Sequence, residues 1–172
     1  MTDLRAFIRD VPDFPTPGIL FRDITPLLAS PEAFAHAIRA MGDPFREALP
    51  EKVIGIEARG FMFGAALACE LGVGFVPARK PGKLPRESVR VSYGLEYGRD
   101  SLELHSDALR SGERVIIADD VLATGGTAAA AAELVERVGA QVVGLTFLIE
   151  LTALEGKKRL PGRRVHSVLM LE

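Results

Sequence analysis

The chain has a single cysteine, Cys69, so no disulfide can form within it, a composition that suits a reducing compartment. Its three histidines, His36, His105 and His166, lie far from one another and from Cys69 in sequence, which argues against the close ligand spacing of a zinc site. Neither sign of charge is in excess. The 21 Lys and Arg face 23 Asp and Glu, and a net charge of −2 supplies no global field to attract nucleic acid or an anionic membrane. Any anion must therefore be held by a local site. No apolar run approaches the roughly 18 residues of a membrane span, and Met1 to Arg5 carries no apolar signal core, so a cytoplasmic protein is expected. Nucleotide fingerprints are missing as well. No Gly-x-x-x-x-Gly-Lys-Ser/Thr occurs, and Gly72-Val73-Gly74 lacks the third glycine of a dinucleotide turn.

What is present points to one α/β domain spanning residues 1–172. At 48% hydrophobic, a chain of 172 residues can bury about two-thirds of its unfolded surface in one core but is short for two. Leu4, Phe7, Ile8 and Val11 fall at helical spacing, and a proline-rich arm follows. Ser30-Pro31 reads as a cap and first-turn proline, with Phe34, Ala37, Ile38 and Met41 on one helix face and Pro44 ending or interrupting the helix. From residue 53 the pattern changes to short apolar runs of the kind that both faces of a sheet bury: Val53 to Ile56, Val73 to Ala78, Val115 to Ala118, Val142 to Ile149 and Val165 to Leu171. Helical stretches at Phe61 to Leu71 and Thr127 to Val138, closed by Gly72 and Gly139, alternate with them and predict a parallel sheet with right-handed crossovers. Arg79 to Asp100 is rich in Lys, Arg, Gly and Pro, has little to bury, and reads as a long mobile excursion. Alternation at Val89, Val91 and Tyr93, then at Leu102 and Leu104, predicts two strands of a β-arm within or beside it.

The most informative stretch is Arg114-Val115-Ile116-Ile117-Ala118-Asp119-Asp120-Val121-Leu122-Ala123-Thr124-Gly125-Gly126-Thr127. Asp119 and Asp120 fall at the carboxyl end of a buried strand, where open parallel sheets bind ligands, and two carboxylates there can accept hydrogen bonds from a vicinal diol. The turn Ala123 to Thr127 supplies backbone N–H groups, two glycines, two hydroxyls and a helix N-terminus, all favourable for a phosphate monoester. Diol and phosphate recognition thus lie a few residues apart, as they do in a pentose 5-phosphate. Taken alone, an acid-acid-glycine turn is equally compatible with a capped bend of no chemical use.

The whole stretch strongly resembles the motif with which type I phosphoribosyltransferases bind phosphoribosyl pyrophosphate (PRPP), and other segments resemble the adenine-specific branch of that family. Phe14-Pro15-Thr16-Pro17-Gly18-Ile19-Leu20-Phe21-Arg22-Asp23 is similar to its N-terminal adenine-binding arm, Val53 to Phe63 to its pyrophosphate turn, Arg79-Lys80-Pro81-Gly82-Lys83-Leu84-Pro85 to the basic entry of its catalytic loop, and Ser92-Tyr93-Gly94-Leu95-Glu96-Tyr97-Gly98 to the loop itself. The resemblance implies a central twisted parallel sheet flanked by helices, with a small N-terminal hood over residues 1–30 and a flexible catalytic loop over residues 79–105. It implies a purine-salvage reaction in which adenine and PRPP give AMP and pyrophosphate, with Mg2+ bound mainly through PRPP, pyrophosphate and water. Asp119 and Asp120 would take the ribose, and Ala123, Thr124, Gly125, Gly126 and Thr127 the 5-phosphate. Ala58, Arg59, Arg79 and Lys83 would take pyrophosphate, Leu20, Phe21 and Arg22 adenine, and Arg59 and Glu96 would be catalytic. A cis peptide before Arg59 and a homodimer are implied too. Many relatives carry Ser-Arg where this chain has Ala58-Arg59, so a hydroxyl contact is lost there while the backbone and Arg59 roles survive.

Alternatives remain at three points. Phe21 in an apolar stretch also fits simple core, Glu96 an ordinary solvated acid, and Tyr97 either loop packing or a substrate contact. At the level of function the competing readings are a phosphoribosyltransferase for another base and a non-catalytic PRPP-binding regulator. The regulator would need a basic face or an added DNA-binding segment, which neither the charge of −2 nor the length suggests. Base choice is a pocket property that the fold does not decide.

Overall fold

The computed structural model describes residues 2–94 and 99–172. In chain order it contains strands β1 (Arg9–Pro12) and β2 (Leu20–Asp23), helices α1 (Thr25–Ala29) and α2 (Pro31–Gly42), then β3 (Lys52–Ile56), α3 (Gly60–Leu71) and β4 (Gly74–Ala78). The hairpin β5 (Ser88–Gly94) and β6 (Arg99–His105) follows, then β7 (Arg114–Leu122), α4 (Gly126–Arg137), β8 (Gln141–Leu151) and β9 (Val165–Leu171). Five strands form one parallel sheet in the order β4-β3-β7-β8-β9. The reversal of winding between β3 and β7 is where an open α/β sheet leaves a crevice at its carboxyl edge.

Successive residues of the central strands serve opposite faces, as a period of two requires. Val53, Ile116 and Ala118 pack under α2 and α3, whereas Ile54, Ile56, Val115 and Ile117 pack under α4 and the β5–β6 hairpin. Helix α2 begins as its sequence dictates: Ser30 Oγ accepts from the Ala33 N–H at 3.3 Å and Pro31 opens the first turn. Glycine brings α3 close to the sheet. A Cβ on Gly64 would lie 2.9 Å from the Gly55 Cα, so only hydrogen on both sides lets the helix settle on β3 and carry its N-terminus to the crevice.

Three expectations need correction, and one is met. The predicted N-terminal helix reduces to a single 3-10 turn, Leu4–Phe7, because Val11 pairs with Phe21 in the β1–β2 hairpin. The α-helix stops ahead of Pro44, as expected: α2 ends at Gly42, and Asp43–Ala48 continues as a 3-10 turn in which Pro44 takes an early position, where its missing N–H is harmless. Strand β7 extends four residues past Ala118, through both acids to Leu122, because β8 supplies partners for that whole edge. Arg79 to Asp100, expected to have little to bury, sends Val91 into the core, and the expected β-arm is the β5–β6 pair that carries it. Val91, Leu102 and Leu104 of the hairpin are in the core, and burial of each leucine stabilises the hairpin's attachment by about 1.5–3 kcal/mol.

Candidate active site

The bend after β7 is built on two glycines in backbone contact. Gly125 has φ +82°, and a Cβ there would stand 2.3 Å from the Gly156 carbonyl oxygen; a Cβ on Gly156 would stand 2.3 Å from that of Ala123. The Ala129 N–H donates to the Gly125 carbonyl at 2.9 Å as α4 begins, so the amides before it are not consumed by the helix. They surround a cavity of about 80 Å3 lined by Asp119, Val121, Leu122, all of Ala123 to Ala128, and Phe147. A positive helix end and unspent amides around a space of this size suit a phosphate.

A second cavity of about 530 Å3 adjoins it, and Asp119, Val121, Ala123 and Thr127 line both. Its walls bring together segments far apart in sequence: Leu20, Phe21 and Arg22 of β2, Glu57, Ala58 and Arg59 of the β3–α3 turn, Lys80 after β4, and Asp119 with Asp120 of β7. Consecutive strand residues ordinarily face opposite ways, but here the cavity caps the end of the sheet, and both acids reach it. The Asp120 N–H donates to Asp119 Oδ1 at 2.9 Å. That oxygen lies 2.7 Å from where a Cβ on Gly60 would stand, so the first residue of α3 must be glycine for Asp119 to fit.

Asp120 is buried, with its Oδ2 2.7 Å from Arg59 Nε but without an aligned hydrogen bond. Loss of hydration, followed by the negative charge of Asp120, pushes the Asp119 carboxyl well above the ordinary carboxylate range. Loss of hydration also raises Asp120, against the opposing pull of the Arg59 guanidinium. Ionisation of the pair therefore carries a cost that a cation or a hydroxyl donor would relieve. Among the described residues no group of three or more His, Cys, Asp or Glu is placed to hold a metal. Two carboxylates beside a phosphate-sized space do fit Mg2+, a hard cation that keeps several waters and needs few protein oxygens when substrate supplies the others.

On the opposite wall, the Arg59 guanidinium carbon lies 5.1 Å from the centre of the Phe21 ring, and Phe14 packs edge-on against Phe21 with ring centres 5.1 Å apart. Arg22, also on the cavity wall, pairs its Nη1 with Asp10 Oδ1 at 2.7 Å across the β1–β2 hairpin. The cis peptide of the β3–α3 turn joins Glu57 to Ala58, one residue earlier than expected.

The expected pyrophosphate cations take different positions. Arg59 lines the cavity. Arg79 is held one layer back by Glu57, with Nε–Oε2 at 3.2 Å, and lies over the Phe61 ring. Lys83 is exposed, its carbonyl accepting from Arg79 Nη1 at 3.2 Å. Lys80, absent from the expected set, lines the cavity instead, and its N–H donates to Glu57 Oε2 at 2.8 Å. Burial opposes charge on Glu57, but the bonds from Lys80 and Arg79 prevail and hold its carboxyl below the usual range. Glu96 and Tyr97 lie outside the described residues. No described helix is long and apolar enough to cross a membrane.

Residues 23–168 match the family model of the phosphoribosyl transferase domain. The chain is 59% identical over 167 residues to the adenine phosphoribosyltransferase of Carboxydothermus hydrogenoformans, covering 97% of this chain and 98% of that protein. Among solved structures, the adenine phosphoribosyltransferase of Rhodothermus marinus is 57% identical with a TM-score of 0.93, covering 98% of this chain and 96% of that one. The enzyme of Saccharomyces cerevisiae, solved with adenine and an imino-altritol bisphosphate, is 43% identical with a TM-score of 0.92, and the match covers 96% of each chain.

Proposed function

Because the chain belongs to the phosphoribosyl transferase family, we propose that it transfers the ribose 5-phosphate of PRPP to adenine, releasing pyrophosphate and forming AMP. The observation that carries this reading is the shared wall between the two cavities, which brings a phosphate-sized pocket next to a larger one lined by a pair of acids and an aromatic arm.

The amides and hydroxyls of Ala123, Thr124, Gly125, Gly126 and Thr127 hold the 5-phosphate, and Asp119 and Asp120 accept from the ribose hydroxyls. The C1′–O bond then breaks with its electron pair leaving on pyrophosphate, N9 of adenine forms the new bond to C1′, and the N9 proton departs. Charge grows on both the sugar and the leaving group as the bond lengthens, so a cation aimed at pyrophosphate stabilises the transition state more than bound PRPP. Arg59, with Ala58 in the same turn, takes that task, and Lys80 joins it; that all three line the larger cavity supports this. Arg79 and Lys83 complete the basic set from behind. Mg2+, held chiefly by substrate oxygens and water, would neutralise part of the pyrophosphate charge. Glu96 is proposed as the carboxyl that handles the adenine proton, on the strength of its motif alone.

Adenine offers a donor beside an acceptor, which the peptide groups around Leu20 and Arg22 can match, while Phe21 covers the ring. Membership in the family and its adenine-specific arm also support Mg2+ dependence, a single domain, homodimeric assembly and a cytoplasmic setting as parts of the same proposal.

Incubation with PRPP, Mg2+ and one base at a time tests the reading. Pyrophosphate release with adenine is expected to exceed that with hypoxanthine, guanine, xanthine or orotate by at least about 100-fold, since unpaired buried polar groups penalise the wrong base. Equal or greater release with a 6-oxopurine would overturn the choice of base, and no release with any base would overturn the reaction. Stacking of a base on an aromatic ring is worth about 1–3 kcal/mol. Phe21→Ala is therefore expected to raise the KM for adenine about tenfold and that for PRPP less than about threefold. An equal rise in both constants would place Phe21 in the core of the arm instead.

A further inference from the structure

Tyr93 occupies a position that the reaction as described leaves unused. It sits on β5, paired in register with Asp100 on β6, and its hydroxyl is half-buried among three polar groups. Asp100 Oδ2 lies 3.1 Å away, Thr127 Oγ1 3.2 Å and Lys80 Nζ 3.4 Å. The direction of each bond is fixed by chemistry. A carboxylate only accepts, so Tyr93 donates to Asp100; an ammonium only donates, so Tyr93 accepts from Lys80; its remaining lone pair takes the Thr127 proton. Lys80 Nζ also donates directly to Asp100 Oδ2. Burial opposes the Asp100 charge, but the bonds from Lys80 and the Ser101 N–H outweigh it and keep this carboxyl below its usual range. The ion pair is thus intact at neutral pH.

The two ends of this chain of bonds are the informative part. Thr127 lines the 80 Å3 phosphate cavity, and Lys80 lines the 530 Å3 cavity beside Arg59. We propose that Tyr93 and Asp100 are positioning residues that couple the two anion sites, so that filling the 5-phosphate pocket at Thr127 releases Lys80 for pyrophosphate. This rests on the reading of the two cavities given above.

The physical cause is that Thr127 has one hydroxyl proton to give. In the free protein that proton goes to Tyr93, tying the hairpin to the first turn of α4. A phosphate oxygen competes for it with a charge-assisted bond about twice as strong as a neutral one. Once the proton turns to the phosphate, the cluster of Tyr93, Asp100 and Lys80 loses this bond to α4. With Tyr93 released from α4 the hairpin is free to shift, and Lys80 can turn towards a second anion without straining a bond to Thr127. By linkage the effect is reciprocal: pyrophosphate in place strengthens 5-phosphate binding by the same factor.

Calorimetric titration with pyrophosphate in the presence of Mg2+, with and without saturating ribose 5-phosphate, reads this coupling as the ratio of the two Kd values. Direct repulsion between the anions and any bridging by the metal act equally in wild type and in Tyr93→Phe, so the comparison isolates the hydroxyl. The wild-type ratio is expected to exceed that of Tyr93→Phe by about fivefold, and Asp100→Asn, which leaves Tyr93 in place, is expected to reduce it similarly. A variant that merely loosens the hairpin weakens both titrations together and leaves the ratio unchanged. The same ratio in wild type and both variants would overturn the coupling while leaving the reaction untouched. Failure of wild type to bind either anion would instead overturn the reading of the cavities, and the coupling with it.

Discussion

Asp119→Asn is expected to raise the melting temperature at pH 7 while lowering kcat/KM for PRPP about tenfold. The two effects have one origin. Asp119 is a carboxyl whose ionisation is opposed first by lost hydration and then by Asp120. Above the ordinary carboxylate range the native protein therefore binds this proton more tightly than the unfolded chain does, so stability is full below that range and falls as pH rises through the elevated native value. Asparagine keeps the oxygen that accepts from the Asp120 N–H but has no charge to bury, which removes the slope. For a chain of this size, each kcal/mol so recovered raises the midpoint by roughly 2–4 °C. The loss of turnover follows from replacing a carboxylate acceptor for the ribose diol, worth about 1.5–3 kcal/mol, by a neutral one worth about 0.5–1.5, a difference of about 1.4 kcal/mol or tenfold. Melting curves of both proteins between pH 4 and 8 decide the point. A variant less stable than wild type at pH 7, with an unchanged slope, would mean that Asp119 is not held charged at a cost.

Gly125→Ala is expected to lower the melting temperature by roughly 4–20 °C and to reduce turnover at least about 100-fold. Two costs combine here. A side chain at φ +82° is strained by about 1–2 kcal/mol, and forcing a methyl group into occupied space costs about 1–3 kcal/mol more. The atom it meets, at 2.3 Å, is the Gly156 carbonyl oxygen, which is backbone and cannot swing aside. The bend must move instead, and a displacement near 1 Å of groups that orient substrate can cost about 100-fold. Gly162 provides the control. It also has positive φ, +71°, but a Cβ there would meet nothing within 4 Å, so Gly162→Ala carries only the conformational cost and should remain active. Equal melting and activity for the two variants would remove the contact between Gly125 and Gly156 from the account.

The parts of this site that lie together in the chain are legible in the sequence. The stretch from Arg114 to Thr127 carries strand, acids, bend and helix start in order, and the fold builds them in that order. Residues whose placement depends on distant partners are not legible in this way. Nothing in Arg79-Lys80 says which side chain will face the cavity; Glu57, 22 residues away, draws Arg79 back and leaves Lys80 on the wall. Val11 continues a helical spacing from Leu4, and only pairing with Phe21 makes it a strand residue. The charged ends of Asp119 and Asp120 break the apolar run that marks β7, although β8 carries the strand on to Leu122. Gly60 and Gly156 bear on the site purely through close approach, of Asp119 in one case and of Ala123 in the other, which composition cannot reveal.

The central claim is that the bend between β7 and α4 receives the 5-phosphate of a sugar. Titration of the isotope-labelled protein with ribose 5-phosphate, followed by backbone amide resonances, tests it most directly. The account predicts saturating shifts largest at Thr124, Gly125, Gly126 and Thr127, with Asp119 and Asp120 next. Shifts that leave those amides unmoved and gather elsewhere, for instance around the cavity lined by His36 and His166, would contradict it.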